Sequence, residues 1–506
     1  MNGFLPLNKT EMAERGWEQA DFVYLLADAY VDHPSFGPAI ISRVLESHGF
    51  KVAIIPQPDW KDPASVTVCG RPRLGFLISG GNMDPMVNHY TVAKKRRSSD
   101  AYSPGGRTGL RPDHASVVYG NLVRRVYGDI PVIIGGIEAS LRRERHYDYW
   151  DNCMKPPILE ESGADYLVAG MGEKPMIRIA EALAEGRADT LPRILFGEPM
   201  TTEELDWVYD LPFTRLPHPR YKGKRIPAYD MIKFSITTHR GCFGGCNFCA
   251  ITAHQGKQIQ SRSEASILRE VEALTRHPEW KGTISDLGAP TANMYRMGGR
   301  DRELCAKCKR PSCLYPKLCR NLDHDHAPLL QLYEKVLKVP GVKHVFIGSG
   351  IRYDLFLDEH GFLDATGRRY FEELVTRHTS GRLKIAPEHT EDHVLDAMGK
   401  PSFKLFERLE LEFNKLIRAR GLKYEIIPYF ISAHPGCTMQ DMEALSRHPA
   451  LRGVRTEQVQ DFTPTPMTVS TEMFHTGRDP RTGKKVFVER DIAKKQRQKS
   501  FFFKKR

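Results

Sequence analysis

Short apolar runs alternate with helix-length amphipathic stretches along most of this chain, and that rhythm constrains its fold more than any other feature. The runs "DFVYLLADA", "KVAIIPQP", "RLGFLISGG", "IPVIIGGIEAS" and "ADYLVAGMGE" each end in Gly, Pro or an acid. Between several of them lie helical patterns such as "SFGPAIISRVLESHGF" (35–50) and "KPMIRIAEALAEG" (174–186). Strands alternating with helices favour a parallel sheet covered on both faces. Residues 1–200 are therefore expected to form a doubly wound α/β domain. The ligand crevice of such sheets lies at the C-terminal strand ends, where Gly80, Gly81, Gly135, Gly136, Gly170 and Gly172 fall. The plainer alternative is that these glycines only make tight turns.

A stretch rich in Pro and turn residues follows, and 201–230 reads as a connector. The alternation then resumes, with strands expected near 232–238, 283–287, 343–349, 382–387, 424–432 and 456–462. Helices are expected near 264–276, 328–338, 367–378, 391–398, 402–420 and 439–447. Six such repeats suit a partial (β/α)6 barrel over 231–475, its working residues on loops at the strands' C-terminal ends. Two segments interrupt the rhythm. The stretch 92–115 carries six basic residues and reads as a long loop, most simply a solvated one. The other is a Cys-rich insert at 300–325.

At 506 residues the chain is too long for one ordinary core. Its net charge of +12 is concentrated at one end: residues 477–506 hold twelve Lys or Arg against three acids. That basic C-terminal tail (476–506) could neutralise phosphates of RNA or simply be a solvated terminus. No basic start followed by an apolar run opens the chain, and no window approaches eighteen uninterrupted apolar residues. A cytoplasmic protein without membrane association is expected. In that compartment clustered thiols hold metal more often than they pair. Seven of the ten cysteines are clustered; Cys69, Cys153 and Cys437 stand alone and read as small buried residues.

The first cluster is "TTHRGCFGGCNFCAIT" (237–252), in which Cys242-x3-Cys246-x2-Cys249 follows the first barrel strand. Thiolates suit iron–sulfur clusters, zinc or copper(I). A structural zinc normally closes its shell with four ligands, so three thiols would need a remote fourth. A cubane on three cysteines leaves one iron open to an exogenous molecule. CxxxCxxC with an aromatic residue, Phe248, before the last cysteine resembles the signature of the radical S-adenosylmethionine enzymes. Stretches such as "FVYLLADAYVDHPSFG", "VIIGGIEASLRR", "DLGAPTANMY", "IGSGIRYDL" and "LKIAPEHTEDHVLDAMGKPS" extend the resemblance to their YgiQ-type (UPF0313) branch over most of the chain.

The resemblance implies that Cys242, Cys246 and Cys249 ligate a [4Fe-4S] cluster whose open iron takes the amine and carboxylate of S-adenosylmethionine. One electron would cleave the sulfonium to methionine and a 5′-deoxyadenosyl radical, which would abstract hydrogen from an unreactive carbon. A flavodoxin or ferredoxin would be the electron donor. By position, Gly288, Ala289 and Pro290 would contact the methionine moiety, with Ser349, Arg352 and Glu388 at neighbouring strand ends. Arg352 or Arg262 could pair with the methionine carboxylate, although each of these side chains also reads as a turn residue or surface ion pair. His254, His389 and His434 lie near the same loops and read as structural. No catalytic residue is legible.

The second cluster, "LCAKCKRPSCLYPKLC", carries Cys305, Cys308, Cys313 and Cys319. Four thiolates in that span suit zinc or an auxiliary iron–sulfur cluster alike, or remain metal-free; His324 and His326 could substitute as ligands. In "IGGIEAS" and "GADYLVAGMGE" the N-terminal part is similar to cobalamin-binding domains. Their usual Asp-x-His-x-x-Gly loop appears here as Asp32-His33-Pro34-Ser35-Phe36-Gly37, with the wrong spacing, so cobalamin is not expected. The expected function is a radical enzyme acting on an unnamed substrate, with RNA or a ribosomal component as one substrate class. The alternative is a non-enzymatic zinc or iron–sulfur protein that binds nucleic acid.

Overall fold

The computed structural model describes residues 3–454 and 458–502. The chain forms two compact units: Met1–Met200 with Asp206–Lys233 and Thr465–Met467, and Thr201–Leu205 with Phe234–Pro464 and Thr468–Arg506.

The first unit is built on six parallel strands, β1 (Phe22–Leu26), β2 (Val52–Pro56), β3 (Gly75–Ser79), β4 (Val132–Gly135), β5 (Tyr166–Ala169) and β6 (Ile194–Phe196), in the order β2-β1-β3-β4-β5-β6. Successive residues of β1 serve opposite cores: Phe22, Tyr24 and Leu26 pack on one face, Val23 and Leu25 on the other. A strand buried on both sides must be apolar throughout, which is why "FVYLL" reads as an unbroken run. The connecting helices α1 (Gly37–Ser47), α2 (Ala115–Tyr127) and α3 (Glu173–Ala184) bury one stripe each; in α3 it is Pro175, Met176, Ile179 and Ala180. The doubly wound sheet read from the sequence is the fold found.

The second unit is the barrel. Strand β7 (Ser235–Thr237) is followed by a strand that breaks at Ser285. Its first half, β8 (Thr283–Ile284), pairs with β10 (His344–Val345), and its second half, β9 (Asp286–Gly288), pairs with β7, all in parallel. The sequence suggested one continuous strand here; its two neighbours take different halves of it. Strands β11 (Arg382–Glu388), β12 (Glu425–Ser432) and β13 (Gln458–Asp461) pair with one another in parallel as a sheet of their own. Outer helices α4 (Glu264–Leu274), α5 (Ala327–Leu337), α6 (Ala365–Arg377), α7 (Asp392–Met398), α8 (Lys404–Ala419) and α9 (Met439–Arg447) stand within a few residues of the expected positions. One core joins the strands to the helices, with Ile236, Leu287 and Val345 meeting Val271, Val336 and Leu374.

Two segments differ from the simplest sequence reading. The basic stretch 92–115 is not merely solvated: Asp100, Ser103 and Arg111 are at most 2% exposed. At the basic end, Ile492–Ser500 forms a helix, α10, that packs on α9, β12 and β13, with Lys495 and Gln498 buried. Gln498 accepts the backbone N–H of Ala433 at 2.9 Å, and Phe502 stacks on Phe430. Lys484, Lys485, Arg490, Lys494 and Arg497 stay exposed and keep that surface basic. Among the described residues no helix is long and apolar enough to cross a membrane.

Four fully buried histidines make the barrel acid-sensitive. Burial pushes His239, His389 and His434 down to about 3 and His326 to about 4. In the unfolded chain these rings titrate near pH 6.5, so on acidification protons bind the unfolded chain first. Their contribution to stability is whole above that value and is lost as pH falls towards their folded values, at up to about 1.4 kcal/mol per pH unit for each ring. Burial raises the carboxyls of Glu388 and Asp286 and so works the other way at lower pH. Melting temperature should therefore begin to fall near about pH 6.5 and drop most steeply about one to two units below it, where the unfolded rings are protonated and the folded ones are not. A melt that stays flat from neutral pH down through that region would contradict this.

Candidate metal centre

The three thiols ride on a loop closed at its base. His239–Arg240 pairs antiparallel with Gln260–Ser261, and Cys242 N–H donates to Gly256 O at 3.1 Å. Gly241 has φ +87° and passes so close to Gln258 O that a Cβ there would collide. Gly245 (φ +60°) stands in the same way against Pro311 O. Asn247 ties the loop's far side to α7, donating from its backbone to Met398 O (2.9 Å) and from its side chain to Ala397 O (2.8 Å), and its own O accepts Ser470 N–H at 3.0 Å. Phe248, the aromatic of the motif, meets His434 edge-on at 6.2 Å.

Cys242, Cys246 and Cys249 are all partly buried. Burial pushes the Cys249 thiol up to about 12 and raises that of Cys242, with Cys246 adding to both. The thiols thus act on one another, yet they do not converge on one point. Among the described residues the trios whose ligand atoms gather within 4.8 Å are His114/Asp148/Asp151 and Glu391/His393/Asp441, not the cysteines. Soft donors set apart in this way suit a cluster with separate irons better than one ion.

The surrounding groups come from several strand ends. Cys242 Sγ lies 3.3 Å from Thr291 Oγ1, and Arg352 Nη1 donates to Cys246 Sγ at 3.1 Å. Burial works against the Arg352 charge, but Asp354 and Cys246 outweigh it and hold the pKa above the ordinary arginine value. Asn293 fixes this arginine's backbone, accepting its N–H at 2.8 Å and donating to its O at 2.9 Å. Glu388 has φ +72°, is buried beside Lys400, and lies within electrostatic reach of Cys249. Burial raises its carboxyl, against the pull of Lys400 and Arg352.

Other sequence-selected residues have different partners. Ser349 Oγ donates to Asp286, which also accepts the backbone N–H groups of Gly348 (2.8 Å) and Ser349 (3.1 Å). Gly288 lies under that serine and accepts Thr238 N–H at 2.8 Å, with Ala289 and Pro290 half-buried beyond it. A Cβ at Gly288 would stand 2.7 Å from Ser349 Oγ, so Gly288→Ala should displace this strand end and lower the melting temperature, measured by scanning calorimetry. Arg262 is fully buried against Glu270, Ser266 and Thr237 O, a clamp between β7 and α4. His389 and His434 are buried and hydrogen-bonded, His434 to Ser470 Oγ at 2.7 Å. Sequence reasoning did not single out Thr291, Asn293, Asp354 or Lys400, although Thr291 and Asn293 follow directly on the strand end "DLGAP".

The second cysteine group packs against this loop. Cys313 N–H donates to Phe243 O at 3.0 Å and Ser312 Oγ to Gly244 O at 2.7 Å. Cys305 and Cys308 are exposed, Cys313 and Cys319 half-buried. His324 and His326 do not join them: His324 faces Asp364 at 3.3 Å, and His326 lies 3.3 Å from Asn293 in the barrel core.

In the first unit, the crevice between the ends of β1 and β3 is filled by the chain itself. Arg111 donates to Asp28 Oδ1 (2.8 Å) and to both Asp100 oxygens (2.8 and 3.0 Å), and the three side chains are at most 2% exposed. Asn82 stitches the two loops together, donating to Ser35 O and accepting Gly37 N–H. A Cβ at Gly81 would collide with the Asp28 carboxylate, and one at Gly80 with Glu138. His33 is buried, and its Nδ1 accepts Ser35 N–H at 3.0 Å.

Comparison with known proteins agrees with this architecture. The family model described as Radical SAM N-terminal matches residues 4–196 and 195–235, and a domain of unknown function (DUF3362) matches 457–504. Among solved structures, the radical S-adenosylmethionine methyltransferase TsrM from Kitasatospora setae, solved with cobalamin and a [4Fe-4S] cluster, aligns with a TM-score of 0.55 at 15% identity, covering 90% of this chain and 75% of that one. The cobalamin-dependent S-adenosylmethionine radical enzyme OxsB aligns with a TM-score of 0.50 at 13% identity, over 94% of this chain and 58% of its own. At those identities the likeness is one of fold. A UPF0313 protein of Bacteroides thetaiotaomicron is 47% identical over 99% of this chain and 94% of its own length, and one of Porphyromonas gingivalis 45% identical over 99% and 90%. With such relatives along almost its whole length, the chain belongs to the UPF0313 family of radical S-adenosylmethionine enzymes.

Proposed function

We propose that Cys242, Cys246 and Cys249 hold a [4Fe-4S] cluster and that the enzyme uses it to cleave S-adenosylmethionine reductively, generating a radical that attacks a carbon–hydrogen bond of its substrate. The observation that carries this reading is the loop itself: three thiols at the C-terminal end of the barrel, mutually close yet not gathered around one ion. When bound, the cluster would supply one electron to the sulfonium, breaking its bond to C5′ and leaving methionine and a 5′-deoxyadenosyl radical.

The chain's own residues account for the setting. Arg352 places an N–H on the Cys246 sulfur, which lowers the cost of negative charge on that ligand. Asp354 and Asn293 hold the arginine there. Ala289 and Pro290, half-buried just beyond Gly288, form the neighbouring strand end that would receive the methionine moiety. Partial burial of all three thiols limits water at the reacting end. The filled crevice supports the further reading that the N-terminal unit works without cobalamin and positions substrate or partner instead.

The test is anaerobic reconstitution with iron and sulfide, then dithionite and S-adenosylmethionine. Methionine and 5′-deoxyadenosine should form together. An iron-loaded chain that yields neither, and whose spectrum does not respond to S-adenosylmethionine, would overturn the proposal. A wild-type chain that retains added hydroxocobalamin through gel filtration would overturn the reading of the first unit.

A further inference from the structure

Cys305, Cys308, Cys313 and Cys319 take no part in the chemistry above, yet the chain holds them in a built frame. An antiparallel ladder of Gly298–Gly299 with Leu322–Asp323 closes the insert at its base. Asn321 braces the interior, donating from Nδ2 to Asp301 O (2.9 Å) and to Cys305 Sγ (3.2 Å). Gly299 makes room for that sulfur, which a Cβ there would strike. Cys319 N–H donates to Cys313 O at 2.8 Å, and Arg310 crosses the loop to Lys317 O at 2.8 Å. Cys313 and Cys319 rest on the same small apolar cluster as Cys242, formed by Phe243, Met294, Met297, Leu314, Leu322 and Leu355.

Cys305, Cys308 and Cys319 each lie within electrostatic reach of Cys313. Four thiolates repel each other unless a cation sits among them, and the segment 305–320 supplies five Lys or Arg and no acid to offset their charge. The choice of metal follows from spacing. A tetrahedral zinc with Zn–S bonds of about 2.3 Å draws its sulfurs to about 3.8 Å from one another. No trio from this group gathers even within 4.8 Å among the described residues. A cubane puts each thiolate on its own iron and spreads the sulfurs wider. His324 and His326 do not complete a mixed shell, because they face Asp364 and Asn293.

We propose that Cys305, Cys308, Cys313 and Cys319 bind an auxiliary [4Fe-4S] cluster seated against the Cys242–Cys249 loop. It does not rest on the reading of the first site, and the test separates the two. The full-length chain carrying Cys242→Ala, Cys246→Ala and Cys249→Ala, reconstituted without oxygen, should retain about four irons and four sulfides and the brown absorbance of a cluster. Adding Cys305→Ser and Cys308→Ser, both at exposed positions, should remove them without changing the far-ultraviolet circular dichroism. In the otherwise wild-type chain that serine pair should halve the iron, from about eight to about four. If the alanine variant fails to fold, this second comparison decides. Zinc in place of iron, a folded alanine variant that takes up neither metal, or wild-type iron unmoved by the serine pair would each overturn the proposal. Failure at the first site would instead appear as iron unmoved by the three alanines.

Discussion

Cys242→Ala should abolish 5′-deoxyadenosine formation, with a loss exceeding the roughly 10–100-fold typical when a group beside a metal ligand is removed. Cys242 is the most enclosed of the three thiols in its hydrogen bonding: its sulfur meets Thr291 Oγ1 and accepts Gly244 N–H at 3.4 Å, and its carbonyl accepts Thr252 Oγ1 at 3.2 Å. Alanine leaves this backbone intact and removes only the ligand, so iron at the first site and product should fall together while the melt changes little. Arg352→Gln tests the next layer. It removes the charge at Cys246 and leaves Asp354 buried without its partner, so a loss of about 10–100-fold in product is expected with the cysteines untouched. Cys153→Ala, at an exposed thiol, should change nothing. Product that survives Cys242→Ala would mean that the loop is not where S-adenosylmethionine is cleaved.

Local periodicity made much of this fold legible. Runs such as "FVYLL" and "GFLIS" are strands because both faces are covered, and a strand covered on both faces is apolar along almost its whole length. The cysteine loop was legible for a similar reason: its spacing is local, and glycines at 241 and 245 announce tight backbone. The rest depends on contacts that local pattern does not encode. Arg352 reaches Cys246 across 106 positions and Arg111 reaches Asp28 across 83. By composition Arg111 belongs to a basic, water-facing loop, and only pairing with Asp100 of the same loop and the distant Asp28 makes its burial tolerable. Helix α10 was hidden likewise, because two buried residues, Lys495 and Gln498, are both polar and leave no apolar stripe to detect. Histidine 326 shows the converse: its nearness in sequence to the second cysteine group suggested a ligand, but it packs against Tyr370 in the barrel core.

Arg111→Met should destabilise the first unit by about 3–5 kcal/mol, the cost of leaving a buried charge without its partner. The substitution keeps an unbranched side chain in the space but strips three hydrogen bonds from Asp28 and Asp100. Burial already raises Asp28 to about 6, even with Arg111 pulling it down. Asp100 is held below the usual carboxylate range, since Arg111 outweighs its burial. Without the guanidinium both carboxyls must take up protons to stay inside, and at neutral pH that uptake is paid out of folding stability. A drop in melting temperature on the order of 6–20 °C follows for a unit of this size. The loss should shrink on moderate acidification, as the carboxyls protonate without help. Adding Asp28→Asn and Asp100→Asn should recover much of it at neutral pH, because the pocket then holds no net charge. Scanning calorimetry on the single and triple variants reads this directly. An Arg111→Met chain that melts with the wild type would mean that the charge triad does not close the crevice, and the space between β1 and β3 would again be open to a ligand.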